Sequence, residues 1–159
     1  MRIRPIKASD NLPLAVALRS VLIEMGVPKK GTAYEDKQLD TMFEAYMDSR
    51  AIYYVVFEGE SIFGGAGIAP LKGEDSSVCE LQKMYFTQEA RGKGLGYTMI
   101  NKCLEFVHSK DFELCYIETM SNMETAQKLY RKVGFEYSDH PMGNTGHYSC
   151  PIWMTKKIA

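Results

Sequence analysis

The segment that decides the fold is residues 78–96, which read VCELQKMYFTQEARGKGLG. Its first half, Val78 to Phe86, is rich in apolar and aromatic residues and predicts a β-strand. Its second half carries three glycines between residues 91 and 96. Apolar residues at helical spacing follow, from Met99 to Val107, and predict a long amphipathic helix. The segment is therefore expected to form a strand, a tight turn and a helix.

The turn itself, Arg91-Gly92-Lys93-Gly94-Leu95-Gly96, has the composition of an anion-binding site. Glycines allow the backbone to approach a ligand closely, and the first amides of the following helix have no internal acceptor. Such amides favour a pyrophosphate, to which Arg91 and Lys93 add positive charge. The alternative interpretation is that the glycines only mark a tight connection.

Two common phosphate-binding patterns do not fit this turn. The chain lacks the G-x-x-x-x-G-K-[ST] loop of nucleoside triphosphate enzymes. The turn also lies in mid-chain after several predicted antiparallel strands, whereas a dinucleotide-binding fingerprint opens a βαβ unit. Both the triphosphate and the nicotinamide hypotheses are disfavoured.

The remaining sequence predicts a mixed sheet with helices on its faces. A strand, helix, strand order around the turn requires one parallel pair, and the Glu58-Gly59-Glu60 link predicts an antiparallel hairpin. Ser121 to Glu124 has a capping-box pattern, and Ser9 or Asp10 is expected to cap the first helix. The predicted strands are 3–7, 51–57, 61–70, 78–86, 114–119, 135–137 and 147–155, with Pro151 at a bulge or a free edge. The predicted helices begin near residues 10, 35, 97 and 122, and the second of them runs from about Glu35 to Asp48.

Composition restricts the partners that the chain is expected to have. Its 159 residues suit one domain, and 19 basic against 20 acidic residues give no basic excess for nucleic acid. No apolar run approaches the roughly 20 residues that span a bilayer, so no membrane partner and a cytoplasmic location are expected. The four cysteines form no C-x-x-C pair and the three histidines show no metal-ligand spacing, so no metal is predicted.

Two motifs together resemble the GNAT superfamily of acyl-CoA-dependent N-acetyltransferases. The first is Leu81 to Phe86 followed by Arg91 to Gly96, which matches the family pattern of Gln or Arg, two residues, Gly, one residue, and Gly or Ala. The second, Ala126 to Phe135, matches Ala-x-x-Leu-Tyr-x-x-x-Gly-Phe. Two motifs in this order and at this distance are more specific than either alone.

The resemblance implies a fold and a cosubstrate. The expected fold is α/β of the α+β kind, with a mostly antiparallel sheet of about seven strands and about four helices over residues 1–159. Acetyl-CoA would lie where the sheet is splayed, with pantetheine against Met84, Tyr85 and Phe86 and pyrophosphate against Arg91 to Gly96. The expected cofactor-binding residues are Met84, Tyr85, Phe86, Arg91, Gly92, Lys93, Gly94, Leu95 and Gly96. Asn122 lies one residue before the position that holds Asn in many members, so its contact is not carried over.

The resemblance also suggests catalytic residues for direct transfer to a primary amine of a small molecule or peptide. The family tyrosine falls on Tyr130, whose phenol would protonate the leaving thiolate; packing beside Leu129 is the alternative. Glu80 resembles a general-base position and, by strand alternation, would share a face with Phe86; a solvated or structural carboxylate is the alternative. Backbone donors of the central strand would stabilise the developing oxyanion.

Other roles stay open at this level. Tyr34, Glu35, Tyr46 and the loop 139–146 are candidate acceptor contacts, as are His140 and His147. Cys150 with a histidine would suggest a thiol nucleophile. A noncatalytic acyl-CoA binding or sensing module and a peptide-binding domain are the rival functions. A free final strand would support a homodimer.

Overall fold

The computed structural model describes all residues 1–159 and has one seven-stranded mixed sheet. The strand order is β1-β2-β3-β4-β5-β7-β6, and the β4–β5 pair alone is parallel. The predicted fold class is thereby confirmed, as is the hairpin, whose Glu58↔Ser61 pair closes the turn. The strands are β1 Arg2–Pro5, β2 Ile52–Glu58, β3 Ser61–Pro70, β4 Val78–Phe86, β5 Leu114–Thr119, β6 Glu136–Ser138 and β7 Ile152–Lys157.

Four helices accompany the sheet: α1 Asn11–Glu24, α2 Met42–Ala45, α3 Leu95–Ser109 and α4 Glu124–Lys132. The predicted long helix from Glu35 to Asp48 is wrong, because this segment holds two short 3₁₀ turns and the single turn α2. Leu39, Met42 and Tyr46 are buried at helical spacing nonetheless. Thr41 adopts φ −135° between the pieces, and Asp and Thr, which compete with the backbone for hydrogen bonds, favour such interruptions.

Two apolar clusters cover the two faces of the sheet. On one face, α3 and the end of α4 pack against Cys79, Leu81 and Cys115. On the other face, α1 and the segment around Leu39 and Met42 pack against β2 and β3. Residues of β4 therefore contact both clusters, some from each side of the strand.

The central strands separate halfway along. β5 pairs with β4 only from Val78↔Leu114 to Glu80↔Tyr116, after which β5 continues with β7 alone. β4 also carries a bulge against β3, at residues 83–84, where Lys83 adopts φ 50°. Tyr53 Oη donates a hydrogen bond of 2.8 Å to the Lys83 carbonyl and holds this unusual backbone in place.

The bulge overturns the alternation argument for Glu80. Leu81 faces the α3 side before the bulge, and Met84 and Phe86 face that side after it. Glu80 and Tyr85 share the opposite side. Because one extra residue inverts the order of the faces, Glu80 and Phe86 lie on opposite sides of the strand.

The last strand is shorter and less exposed than the sequence indicated. β7 begins at Ile152, directly after Pro151, and pairs with both β5 and β6. It is not a free edge, so the stated reason for a homodimer is wrong; β6 and β1 occupy the edges. None of the helices combines the length and the apolar character that crossing a lipid bilayer demands.

Candidate active site

A groove of about 520 Å³ opens where β4 and β5 separate. This volume lies in the usual range for cofactor and small-ligand sites. Its walls come from the end of β4, the glycine turn, α1 and the start of α4. The lining residues are Val21, Met25, Met84, Tyr85, Phe86, Ala90, Arg91, Gly92, Gly94, Leu95, Gly96, Tyr97, Asn122, Met123, Glu124, Thr125, Ala126 and Leu129. The predicted cofactor residues therefore lie together, except that the exposed Lys93 is not among them.

The turn before α3 presents unpaired backbone amides. The first backbone hydrogen bond of α3 runs from Thr98 N to Gly94 O, so the amides of residues 95–97 have no intrahelical acceptor. Gly92 and Gly94 adopt φ 71° and 75°, a left-handed conformation that side chains disfavour. Open space surrounds both positions, so the backbone conformation and the room left for a ligand explain these glycines. The cradle fits a pyrophosphate through neutral donors at a helix N-terminus.

Arg91 has a structural task in this turn. Its Nε donates to the Phe86 carbonyl at 2.9 Å, and its two terminal nitrogens bond Glu24 at 2.8 and 2.9 Å. This forked pair ties the turn to the end of α1. Glu24 pairs with Arg91, and Lys93 does not line the groove, so the backbone amides are the main anion donors of this turn.

The wall formed by α4 differs from its predicted start. The helix begins at Glu124 after Met123, and no side chain caps it, so the capping box around Ser121 is wrong. Likewise Asp10 precedes α1 without capping it, because its carboxylate bonds Arg4 and the Lys7 amide. Asn122 lines the groove and donates to the Met25 carbonyl at 2.8 Å, which fastens this wall to α1.

A second, polar pocket of about 350 Å³ lies beside the same bulge. Lys83 lines it, whereas the next residue, Met84, lines the groove. Consecutive residues of β4 thus belong to the walls of the two spaces. The lining residues of the pocket are Asp36, Lys37, Gln38, Ala45, Tyr46, Ala69, Pro70, Lys72, Glu80, Gln82, Lys83, Asn144, Thr145 and His147.

Glu80 is the titratable group best placed for proton transfer in this pocket. Burial raises its pKa to about 7, against the weaker opposing effects of a hydrogen bond from Gln82 and the positive charges of His147 and Lys83. Gln82 Nε2 donates to one carboxylate oxygen at 2.7 Å, and the other oxygen has no partner within the chain. A carboxylate with this pKa is a stronger base than an ordinary glutamate at neutral pH.

A buried ion cluster borders Glu80. Lys83 Nζ lies 3.4 Å from Asp36 Oδ2, and its side chain is 3% exposed. His147 Nε2 lies 2.9 Å from the same oxygen. Burial acts to lower the pKa of His147, but the contact with Asp36 outweighs it and raises this pKa above the ordinary value. Burial acts to raise the pKa of Asp36, but His147 and Lys83 lower it overall.

Three groups in this region have the donor types that a metal ion accepts. Glu80, Glu118 and His147 each place one such atom within 4.8 Å of the others. Both Glu118 oxygens already accept hydrogen bonds of 2.7 Å, from Tyr116 and Thr145. The cluster is a hydrogen-bonded network, and a metal-free reaction remains a prediction.

Tyr130 lies in the core beside the groove. Burial raises the pKa of its phenol further above the ordinary value, so the hydroxyl keeps its proton at neutral pH. Its ring packs edge-on against Phe135 at 6.1 Å. The hydroxyl forms no hydrogen bond within the chain. The only side-chain polar atom that is both fully buried and without a hydrogen-bond partner is Thr87 Oγ1. The Tyr130 hydroxyl is therefore not fully sealed, although Tyr130 is not among the residues that line the groove or the pocket.

Several other expected contacts are placed away from the pocket. Tyr34 and Glu35 do not line it; Glu35 instead accepts from the Gly31 amide at 2.7 Å. His140 is exposed and pairs with Asp139. Tyr46 and His147 do line the pocket, as do Asn144 and Thr145 of the predicted loop.

The thiol nucleophile is disfavoured. Burial raises the pKa of Cys150 to about 12, and nearby carboxylates add to this effect. The ring nitrogens of His147 face Asp36 and Glu118 instead of the thiol. A protonated thiol without a base is a poor nucleophile.

Comparison with known proteins decides the family. The family model described as acetyltransferase (GNAT) family matches residues 20–135. The chain belongs to the GNAT acetyltransferase family. It is 39% identical over 157 residues to the uncharacterized N-acetyltransferase YjgM of Escherichia coli K12, covering 98% of this chain and 93% of that protein. The chain is accordingly an acyltransferase.

Solved GNAT structures share the fold. A GNAT acetyltransferase from Staphylococcus aureus Mu50 superposes with a TM-score of 0.87 at 17% identity, over 99% of both chains. A GNAT phosphinothricin acetyltransferase from Sinorhizobium meliloti, solved with acetyl-CoA, gives 0.79 at 16% identity, over 99% of this chain and 88% of that one. GNAT relatives thus bind acetyl-CoA with this architecture.

Sequence reasoning missed the ion cluster of the pocket. Asp36 lies in a segment expected to be helical, and Lys83 lies inside β4, where regular alternation would assign it to the same side as Leu81. No local sequence pattern predicts the contact between Asp36 and His147, which are 111 positions apart. The strained φ of Lys83 depends on tertiary contacts, so the bulge had no sequence signal.

Proposed function

We propose that this enzyme transfers the acetyl group of acetyl-CoA directly to a primary amine, with Glu80 as general base and Tyr130 as general acid. The observation that carries the proposal is that neighbouring residues of β4, Lys83 and Met84, line the polar pocket and the apolar groove. Each reactant would enter from its own side of the sheet. Holding both in one geometry removes much of the entropic barrier of a bimolecular step.

The groove residues suit acetyl-CoA in chemical character. The free amides of residues 92–97 would hold the pyrophosphate, and β4 beyond Glu80 has no β5 partner along one edge, so its main chain is available to pantetheine amides. When bound, acetyl-CoA supplies an activated thioester. Amides along that edge would donate to the carbonyl oxygen as its negative charge develops.

The pocket residues would prepare the amine. The free oxygen of Glu80 would accept a proton from the ammonium or from the attacking nitrogen, directly or through one water. Because its pKa is about 7, Glu80 is largely a carboxylate above neutral pH and is then competent as a base. Tyr130 keeps its phenolic proton there and would donate it to the departing sulfur.

The proposal is tested by thiol release from acetyl-CoA with a panel of amino acids, polyamines, aminoglycosides and peptide N-termini, followed by mass spectrometry of each acceptor. We expect at least one amine to accelerate release and to gain one acetyl group on nitrogen. Tight acetyl-CoA binding without release in the presence of any amine would contradict the proposal and would favour a noncatalytic acyl-CoA binding module.

A further inference from the structure

The charged side chains of the polar pocket differ in whether they already have partners. Asp36 is engaged by Lys83 and His147. Glu118 accepts from Tyr116 and Thr145. Among these carboxylates Glu80 keeps an unpartnered oxygen, and its side chain is buried. A substrate ammonium therefore has one favourable site in the pocket, at Glu80.

Two lysines of the pocket have no acidic partner. Lys37 and Lys72 line it from separate segments, and neither makes an ion pair. Both are exposed, which places their charges at the mouth, whereas the buried Lys83 is neutralised by Asp36. The uncompensated charge at the mouth is positive and favours an anionic group on the acceptor.

The size and polarity of the pocket restrict the acceptor further. About 350 Å³ suits a molecule of amino-acid size, and little of the lining is apolar. A polyamine would place its second ammonium near Lys37 and Lys72, where like charges repel. A longer aliphatic amine would find few apolar contacts beyond Ala45, Tyr46 and Ala69.

We propose that the acceptor is a small zwitterion, an α-amino acid or a close analogue, whose amino group lies at Glu80 and whose carboxylate is held by Lys37 and Lys72. This inference rests on the proposed acetyl transfer and adds the substrate class. The product is an N-acetyl amino acid: the new bond joins the amine nitrogen to the acetyl carbon, the thioester bond breaks, and coenzyme A leaves as a thiol.

The test compares matched acceptors that differ only at the carboxylate. Each free L-amino acid is assayed beside its carboxamide and its decarboxylated amine, and kcat/KM is measured for every acceptor that reacts. We expect the free acids to exceed both analogues by about fivefold to twentyfold, as two exposed ion pairs allow. Equal or faster reaction of the carboxamides, or faster reaction of a peptide N-terminus, overturns the inference and leaves the acetyl transfer intact.

Lysine variants supply an independent readout. Lys37→Gln and Lys72→Gln should each raise KM for the free acid by about twofold to fivefold and leave KM for the carboxamide unchanged. Lys157→Gln, at an exposed position at the end of β7, is the matched control for charge. An unchanged ratio of acid to carboxamide in the double variant refutes the assignment of the lysines. If no amine of any kind releases thiol, the proposed function fails, and the substrate class fails with it.

Discussion

Replacing Glu80 with glutamine should make the protein more tolerant of alkaline pH while impairing its activity. Burial raises the pKa of Glu80 from an ordinary 4.5 to about 7 in the folded state. A group whose folded pKa is raised contributes stability that is fully present below the unfolded pKa and is lost as pH rises through the folded pKa. Glu80 therefore destabilises the fold progressively from about pH 4.5 to above pH 7.

The size of this effect follows from linkage. With pKa values of 4.5 unfolded and about 7 folded, ionisation of Glu80 lowers the free energy of unfolding by about 2 kcal/mol between about pH 5.5 and about pH 8.5. Glu80→Gln removes this ionisation and keeps an acceptor for Gln82. Across that interval the wild type should lose about 2 kcal/mol more stability than the variant.

The assay is urea unfolding of both proteins at the two pH values, with Glu60→Gln as a control. Glu60 is exposed in the turn between β2 and β3, so its removal should leave the pH dependence as in the wild type. The comparison of differences cancels the titrating groups that do not interact with Glu80, and His147 keeps its contact with Asp36 in the variant. Parallel pH profiles for Glu80→Gln and the wild type would refute the account of Glu80 as a buried carboxylate with a raised pKa.

The remaining predictions concern turnover, cosubstrate binding and the ion cluster. The kcat/KM of the wild type should rise with pH through an apparent pKa near 7 as Glu80 ionises; a profile that is flat from pH 6 to 8 would remove Glu80 as base. Tyr130→Phe should keep acetyl-CoA affinity in calorimetry but lower kcat at least about tenfold, and unchanged kcat would exclude its role as acid. Gly94→Glu should abolish acetyl-CoA binding, whereas Gly59→Glu, also at a positive φ with open space around it, should not; equal binding by both folded variants would contradict the amide cradle. Asp36→Asn should lower the free energy of unfolding by about 3 kcal/mol, because it leaves the buried charge of Lys83 without its partner. Adding Lys83→Met should recover most of that loss. No recovery in the double variant would argue against the ion pair.

The sequence predicts the fold and the groove better than it predicts the pocket. Residues 78–96 predict strand, turn and helix because the glycine positions and apolar spacing are local features. The polar pocket depends on a bulge at Lys83 that inverts the faces of β4, and on contacts between segments far apart in the chain. The alternation argument that put Glu80 on the same face as Phe86 is wrong because of this bulge, and the catalytic role of Glu80 stays a prediction. The segment 35–48 shows helical spacing, but its buried residues pack from short turns instead of one helix.

The measurement that tests the central claim most directly uses acetyl-CoA labelled with a heavy isotope in its acetyl group. The purified enzyme is incubated with a mixture of amino acids and other amines, and both thiol release and labelled products are quantified. The account predicts labelled acetyl on an amine nitrogen in amounts equal to the coenzyme A released, with no release when amines are omitted. Tight acetyl-CoA binding with no labelled amine, or release that does not depend on an amine, would contradict direct transfer between the groove and the pocket.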